Sequence, residues 1–199
     1  MDLPLQLDIV GVEPVEAMRL KARQVLGSSI PIIEATAEQL PFADGSLDAI
    51  FVAQAFHWFA NEDVLRELHR TLAAGGCLVL VWNMEDAQCP WVADLRSLYE
   101  HYDHGIPQFR LGTWRDVWVT PTAKERFQSL QEKVVRNDLP SFSRDLVWTR
   151  ILSKSYIANL DTSEQQQVKQ QVELILNKHN LPSTFTYPHE TFIAWTFKL

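Results

Sequence analysis

Residues 7–82 alternate short apolar runs with stretches whose apolar residues recur every three or four positions. That alternation constrains the fold most, because strand–helix–strand units of this length close into a parallel α/β sheet with right-handed crossovers. Residues 7–12 read as a short buried strand. Residues 15–26 set Val15, Met18, Ala22, Val25 and Leu26 at helical spacing and leave Arg19, Lys21 and Arg23 to water. Residues 30–36 make a second strand, followed by a turn over 41–45. Residues 47–56 are nearly continuously apolar, the pattern of a parallel strand covered on both faces. Asn61 is placed to cap a helix with the stripe Val64, Leu65, Leu68 and Leu72, stopped by Gly75-Gly76, and residues 77–82 form the next buried strand.

Beyond residue 83 the pattern changes. Residues 84–145 mix short amphipathic pieces with irregular stretches and hold Trp91, Tyr99, Tyr102, Phe109, Trp114 and Trp118. These aromatics suit an acceptor pocket or an ordinary core. A helix over 143–159 follows, and Asp161 with Glu164 three residues on reads as a capping box for another, striped by Val168, Val172, Ile175 and Leu176. Residues 184–187 and 191–197 read as a hairpin turning at Pro188-His189-Glu190. With no internal repeat or low-complexity linker, the expectation is one domain over 1–199, with 84–145 as a cap above the strand ends.

Composition narrows the function. A net charge of −7 without a basic stripe excludes nucleic acid as a natural partner. Two cysteines, Cys77 and Cys89, make no disulfide framework, and no basic leader or apolar run of about 20 residues marks export or a membrane span, so the expected setting is cytoplasmic. The seven glycines stand at 11, 27, 45, 75, 76, 105 and 112, and no two are spaced Gly-x-Gly, so the chain holds no phosphate-cradling glycine loop. Gly-x-Ser-x-Gly, His-Glu-x-x-His and Cys-x-x-Cys are missing too. His101 and His104 share a helical face, but no third ligand joins them, and no metal is expected.

The sharpest chemical signal is Gly11-Val12-Glu13-Pro14, an acid at the end of the first strand. Open α/β sheets bind ligands at the carboxyl ends of their strands, and a carboxylate there accepts two hydrogen bonds from a ribose diol. A solvent-facing glutamate capping the next helix gives the same pattern. Three further segments follow in order: Thr36-Ala37-Glu38-Gln39-Leu40-Pro41-Phe42-Ala43-Asp44-Gly45-Ser46-Leu47-Asp48, then Gln54-Ala55-Phe56-His57-Trp58-Phe59, then Leu72-Ala73-Ala74-Gly75-Gly76-Cys77-Leu78. Together with Ser153-Lys154-Ser155-Tyr156-Ile157 and the closing hairpin, this order resembles the class I S-adenosylmethionine-dependent methyltransferases, in the small-molecule branch (methyltransferase type 11-like) similar to trans-aconitate methyltransferase.

The resemblance implies a Rossmann-like α/β fold, mostly parallel and closed by a C-terminal antiparallel hairpin, with S-adenosylmethionine as cofactor and a small molecule as methyl acceptor. It assigns Glu13 to the ribose hydroxyls, Pro14 and Met18 to the adenine face, Thr36, Ala37 and Glu38 to the adenine edge, and Gln54 to the methionine end. Many relatives carry Asp where Thr36 stands. His57 falls beside the acceptor, where it would take a proton from an oxygen or nitrogen nucleophile, or else is a helix-start histidine with a backbone partner. Trp58, Trp82 and Asn83 fall on the acceptor side.

An acid of this kind follows a glycine fingerprint by about 20 residues, yet only twelve precede Glu13. The expectation is therefore an N-terminally truncated form lacking the first strand and glycine loop, with impaired transfer. Two open sheet edges would result, filled by residues 2–6 or by another chain. The alternatives are a non-catalytic interaction protein that keeps the fold, and a nicotinamide-dependent dehydrogenase, in which the Ala37–Phe42 segment and the hairpin have no role.

Overall fold

The structure is a computed structural model that describes residues 7–199. Strand β1 (Gly11–Val12) runs parallel to β2 (Ile32–Ile33), and helix α1 (Glu16–Leu26) joins them. Both strands are shorter than their apolar runs: residues 7–10 have no regular structure, and among the described residues β1 has a ladder with β2 alone. Helix α1 forms where expected and turns the other way. Met18 and Val25 are 59% and 71% exposed, whereas Arg19 is the helix's buried residue. Arg19 donates to Glu34 at 2.6 Å and to the Glu13 and Pro14 carbonyls at 3.0 and 2.6 Å, and Arg23 donates to the Ile32 carbonyl at 2.8 Å. The basic face therefore docks the helix, and the apolar stripe is left in solvent.

Strand β3 (Leu47–Ala53), helix α2 (Glu62–Thr71) and strand β4 (Leu72–Glu85) form the second parallel unit. Asn61 Oδ1 accepts from Val64 N–H at 2.9 Å, and Val64, Leu65 and Leu68 are buried, as their spacing requires. The helix ends at Thr71 rather than at the glycines, which lie within β4. There Gly75 takes a φ of +70°, and a Cβ on Gly76 would stand 2.9 Å from the Ala73 carbonyl oxygen and 3.1 Å from that of Asp48. Both obstacles are backbone, so Gly76→Ala is expected to cost about 1–3 kcal/mol, read as a lower urea midpoint at unchanged slope. Strand β3 is not covered on both faces: Ile50 and Val52 pack on the core, while Phe51 is 71% exposed.

The chain continues through α3 (Pro90–Tyr99), 3-10 turns between residues 100 and 119, α4 (Pro121–Arg126), β5 (Gln131–Arg136), β6 (Leu139–Ser143), α5 (Leu146–Leu152), α6 (Ser155–Ala158), α7 (Thr162–Lys178), β7 (Thr184–Tyr187) and β8 (His189–Phe197). The main sheet has the order β3-β4-β8-β5, with β8 antiparallel to both neighbours, while β1-β2 and β6-β7 stand as separate pairs. Three expectations change here. Residues 131–136 belong to the sheet as its edge strand and not to a cap. The helix over 143–159 is two short helices divided at Ser153-Lys154. The closing hairpin does not form. Pro188, which has no N–H to give a ladder, separates β7 from β8, so that β7 pairs with β6 and β8 with β4 and β5.

The Asp161 capping box is complete, its carboxylate accepting from Glu164 N–H at 2.8 Å and Glu164 accepting from Asp161 N–H at 3.1 Å. Two clusters hold the molecule together. One lies between α2 and the main sheet and takes in Trp82, Trp114 and Phe127; the other joins α3, α5 and α7 around Tyr99, Val172 and Tyr187. Among the described residues no strand lies between β1 and β3. The expectation that residues 2–6 fill that place falls outside the described residues. No helix among the described residues is long and apolar enough to cross a membrane.

Candidate functional site

Each sequence-selected polar residue stands where a parallel strand ends. Glu13 follows β1, Thr36 to Glu38 follow β2, Gln54 follows β3, and Asn83 lies within β4, two residues before its end. Glu13 Oε1 accepts from Val15 N–H at 2.9 Å, which makes it a local cap, while its second oxygen has no partner among the described residues. Pro14, Met18, Thr36 and Glu38 are exposed and Ala37 is half-buried. Gln54 adopts a φ of +55°, a conformation that a non-glycine residue reaches at a cost of about 1 kcal/mol or more. Its backbone N–H donates to the Val81 carbonyl at 2.8 Å and its side chain to the Asn83 carbonyl at 3.0 Å, so β4 holds the turn in place. The acid, the exposed apolar pair Pro14 and Met18, and the Gln54 turn suit a ligand with a ribose diol, a flat base and a polar tail.

Beyond Gln54 a cavity of about 360 Å³ opens between β4, the end of α3 and the α5–α6 junction. Gln54, His57, Trp58 and Asn83 line one side; Tyr99, Arg110, Arg150, Lys154 and Tyr156 line the other. His57 sits in the 3-10 turn Phe56–Trp58, whose anchor, Phe56, is fully buried. Its Nδ1 accepts from Trp82 Nε1 at 3.1 Å, which fixes neutral imidazole with its proton on Nε2. Burial pushes the ring down to about 4. At neutral pH the ring is therefore uncharged, with its Nε2 proton available to donate. Trp82, expected on the acceptor side, lies behind His57. It is fully buried, stacked on Phe109 at 4.6 Å and tilted against Trp114 at 4.7 Å, and it donates to His57, which lines the cavity. The aromatics of 91–118 thus divide: Trp114 is core, while Tyr99 and Phe109 also line the cavity.

The far wall contains what the sequence reading missed. Glu85 is 2% exposed, and its Oε1 accepts from Lys154 Nζ at 3.1 Å and from Arg150 Nε at 3.2 Å. Burial alone would raise this carboxyl, but the charges of Lys154 and Arg150 outweigh it and hold the group at about 2. Arg96 donates to the Glu85 carbonyl at 2.9 Å and to Glu100 at 2.7 Å, and Arg110 pairs with Glu100 and Asp103. Tyr156 is pushed upward, chiefly by burial, and stays a protonated donor at neutral pH. Glu85 carries the signal that singled out Glu13, an acid closing a buried strand. Its cations lie 65 and 69 residues away in the chain, beyond the reach of any spacing rule.

Comparison with known proteins agrees with this architecture. Residues 2–80 match the methyltransferase domain family. An uncharacterised methyltransferase-like protein of Schizosaccharomyces pombe is 36% identical over 83 residues, 42% of this chain and 32% of that protein. An uncharacterised methyltransferase of Mycobacterium tuberculosis is 40% identical over 92 residues, 46% of this chain and 37% of that one. The match spans about a third of the length of these curated relatives. Among solved structures, the YcgJ protein of Bacillus subtilis aligns over 95% of this chain and 81% of its own, with a TM-score of 0.54 at 18% identity. A SAM-dependent methyltransferase of Thermotoga maritima aligns over 98% and 75%, with a TM-score of 0.50 at 18% identity. The fold is the Rossmann-like methyltransferase fold with a mixed sheet.

Proposed function

We propose that this chain, which has the class I methyltransferase fold and a methyltransferase domain over residues 2–80, binds S-adenosylmethionine and directs methyl transfer to a small-molecule acceptor in the cavity beside Gln54. The observation that carries the reading is that Glu13, Thr36 and Gln54 each follow the carboxyl end of a parallel strand, with Gln54 lining a cavity of small-molecule size. Glu13 takes the ribose hydroxyls through its free oxygen, Pro14 and Met18 give the base an apolar face, and the Thr36–Glu38 backbone meets its edge. The cofactor supplies a methyl group on a positively charged sulfur. The protein's task is to hold the acceptor atom in line and exclude water, which is a matter of positioning more than of proton transfer. His57 acts as a donor that orients the acceptor, with Trp58 and Asn83 beside it.

No Gly-x-Gly pair occurs in the chain, and transfer by the chain alone is proposed to be slow, with a weakened hold on the cofactor. Calorimetric titration with S-adenosylmethionine tests the reading: heat of binding is expected, with affinity falling roughly tenfold in Glu13→Ala as a charged hydrogen-bond acceptor is lost. A second reading, an interaction protein that keeps the fold without catalysis, is favoured by the apolar stripe of α1 and by Phe51, which are open to solvent. It predicts no heat with S-adenosylmethionine for the intact chain.

A further inference from the structure

We propose that an open cleft at the end of the main sheet remote from Gln54 binds a phosphate-type anion, held by Arg126, Lys198 and His69. Its place follows from topology. Strands β3 and β4 run parallel and β8 runs against them, so β8 ends at the edge where the other two begin. The turn before β3 supplies Asp44 and Gly45, and the last turn of α2 supplies His69 and Arg70. Helix α4 ends in Arg126, and Lys198 follows β8. With Arg66 these residues line a cleft of about 540 Å³.

Charge selects the ligand. The lining holds four cations, Arg66, Arg70, Arg126 and Lys198, against the single carboxylate of Asp44. Arg70 is taken up by Asp44 at 2.7 Å and Glu67 at 2.8 Å, and Arg66 by Asp63 at 2.5 Å. Arg126 pairs with its chain neighbour Glu125 alone, at 3.4 Å through Nη1, and among the described residues its Nε and Nη2 have no acceptor. Lys198 enters no ion pair among the described residues. Its Nζ donates to the Leu72 carbonyl at 2.8 Å and keeps its other hydrogens. Neither ring nitrogen of His69 has a partner among the described residues, and the ring stands edge-on to Phe127 at 5.7 Å. Burial first, then the charges of Lys198 and Arg126, lower its pKa, so at neutral pH it is uncharged and has one N–H to give.

The backbone keeps the two underused cations together. Phe127 forms a bridge with Lys198, and Leu199 N–H donates to the Arg126 carbonyl at 2.9 Å. Like charges so placed repel, and an anion between them is attracted by both. The donors arrive from three directions: His69 from α2, Arg126 from α4 and Lys198 from the segment after β8. Such a set suits the tetrahedral oxygens of a phosphate better than the two coplanar oxygens of a carboxylate, and Arg126 can give a phosphate two hydrogen bonds from Nε and Nη2. A phosphate fills only part of the cleft, which leaves room for the organic group of an ester. The site stands apart from Glu13 and Gln54 and asks nothing of the methyl-transfer reading.

The ring signals of His69 report on this cleft by NMR, and those of His57, in the cavity beside Gln54, are the internal control. The full chain is titrated near neutral pH with inorganic phosphate, glycerol phosphate, acetate and chloride at constant ionic strength. Saturable shifts of His69 are expected with the two phosphates alone, while His57 stays in place. In saturating phosphate the His69 titration should move up, because the anion offsets the two cations. Affinity should fall roughly tenfold in Lys198→Met and in Arg126→Gln, each of which removes a charge-assisted hydrogen bond. It should hold in Lys124→Met, an exposed lysine of α4 outside the cleft. Tighter binding of glycerol phosphate assigns the cleft to an ester and equal binding to the free ion; both uphold the site. No saturable shift of His69, an equal shift with acetate or chloride, a shift confined to His57, or an unchanged affinity in the two cleft variants overturns the proposal. Should Lys198→Met not fold, Arg126→Gln at its partly exposed site decides.

Discussion

Trp82→Ala is expected to cost about 3–5 kcal/mol of folding stability, the range for deleting a fully buried large aromatic. Trp82 is 0% exposed, stacks on Phe109 at 4.6 Å and lies tilted against Trp114 at 4.7 Å and Phe192 at 6.0 Å, so truncation opens a void among rigid rings that cannot close over it. For a domain of this size each kcal/mol moves the melting temperature by about 2–4 °C, so the variant should melt on the order of 10 °C lower. Trp82→Phe keeps part of the stack and removes the N–H that donates to His57 Nδ1 with the rest of the five-membered ring, at a cost of about 1–3 kcal/mol. The two variants separate packing from orientation. In Trp82→Ala water reaches His57, and its NMR titration should move up from about 4 toward the ordinary histidine value. A Trp82→Ala melt within 2–3 °C of the parent would sink the view of this stack as the keystone of the main cluster.

How far the sequence predicts this structure depends on whether an element's partners are local. Helices α2 and α7 and strand β4 are legible because caps and stripes are properties of neighbouring residues: Asn61, Asp161 and the buried stripe Val64, Leu65 and Leu68 act within a turn or two. Helix α1 has an equally clear stripe and buries its opposite face. The stripe records a surface meant for apolar contact, and among the described residues nothing is packed there, so Arg19 and Arg23 decide the docking through Glu34 and backbone carbonyls. Strand β5 hid in the stretch read as a cap because every one of its residues is exposed, which erases the alternation that marks a half-buried strand. The site divides the same way. Glu13 follows from the rule that ligands sit at strand carboxyl ends, while Gln54 and Asn83 come from the resemblance. Arg150 and Lys154 are joined to Glu85 by the fold alone, and the hydrogen bond that His57 accepts comes from a residue 25 positions away.

Glu85→Gln should lower stability by about 3 kcal/mol at pH 7, and that deficit should vanish in acid. The sign follows from the folded state. Burial would raise the carboxyl, but Lys154 and Arg150 bring it from an ordinary 4.5 down to about 2, so folding favours the ionised form. The stabilisation is fully present above pH 4.5 and is lost as pH falls through about 2, where folded and unfolded chains both carry the protonated acid. Other depressed carboxylates, Glu67, Asp94 and Asp138, also weaken the protein in acid, and each is held down first by a side-chain hydrogen bond, to Arg70, His179 and Arg136 respectively. They do so in parent and variant alike, so the difference between the two urea curves isolates Glu85. That difference should shrink steadily from pH 5 to pH 2.5. Adding Lys154→Met to Glu85→Gln removes one of the two cations left without their anion, so the double variant should lose less than the sum of the single losses, by about 1–3 kcal/mol of coupling. Parallel stability curves across that pH range would show that Glu85 is not the buried counterion on which this wall of the cavity is built.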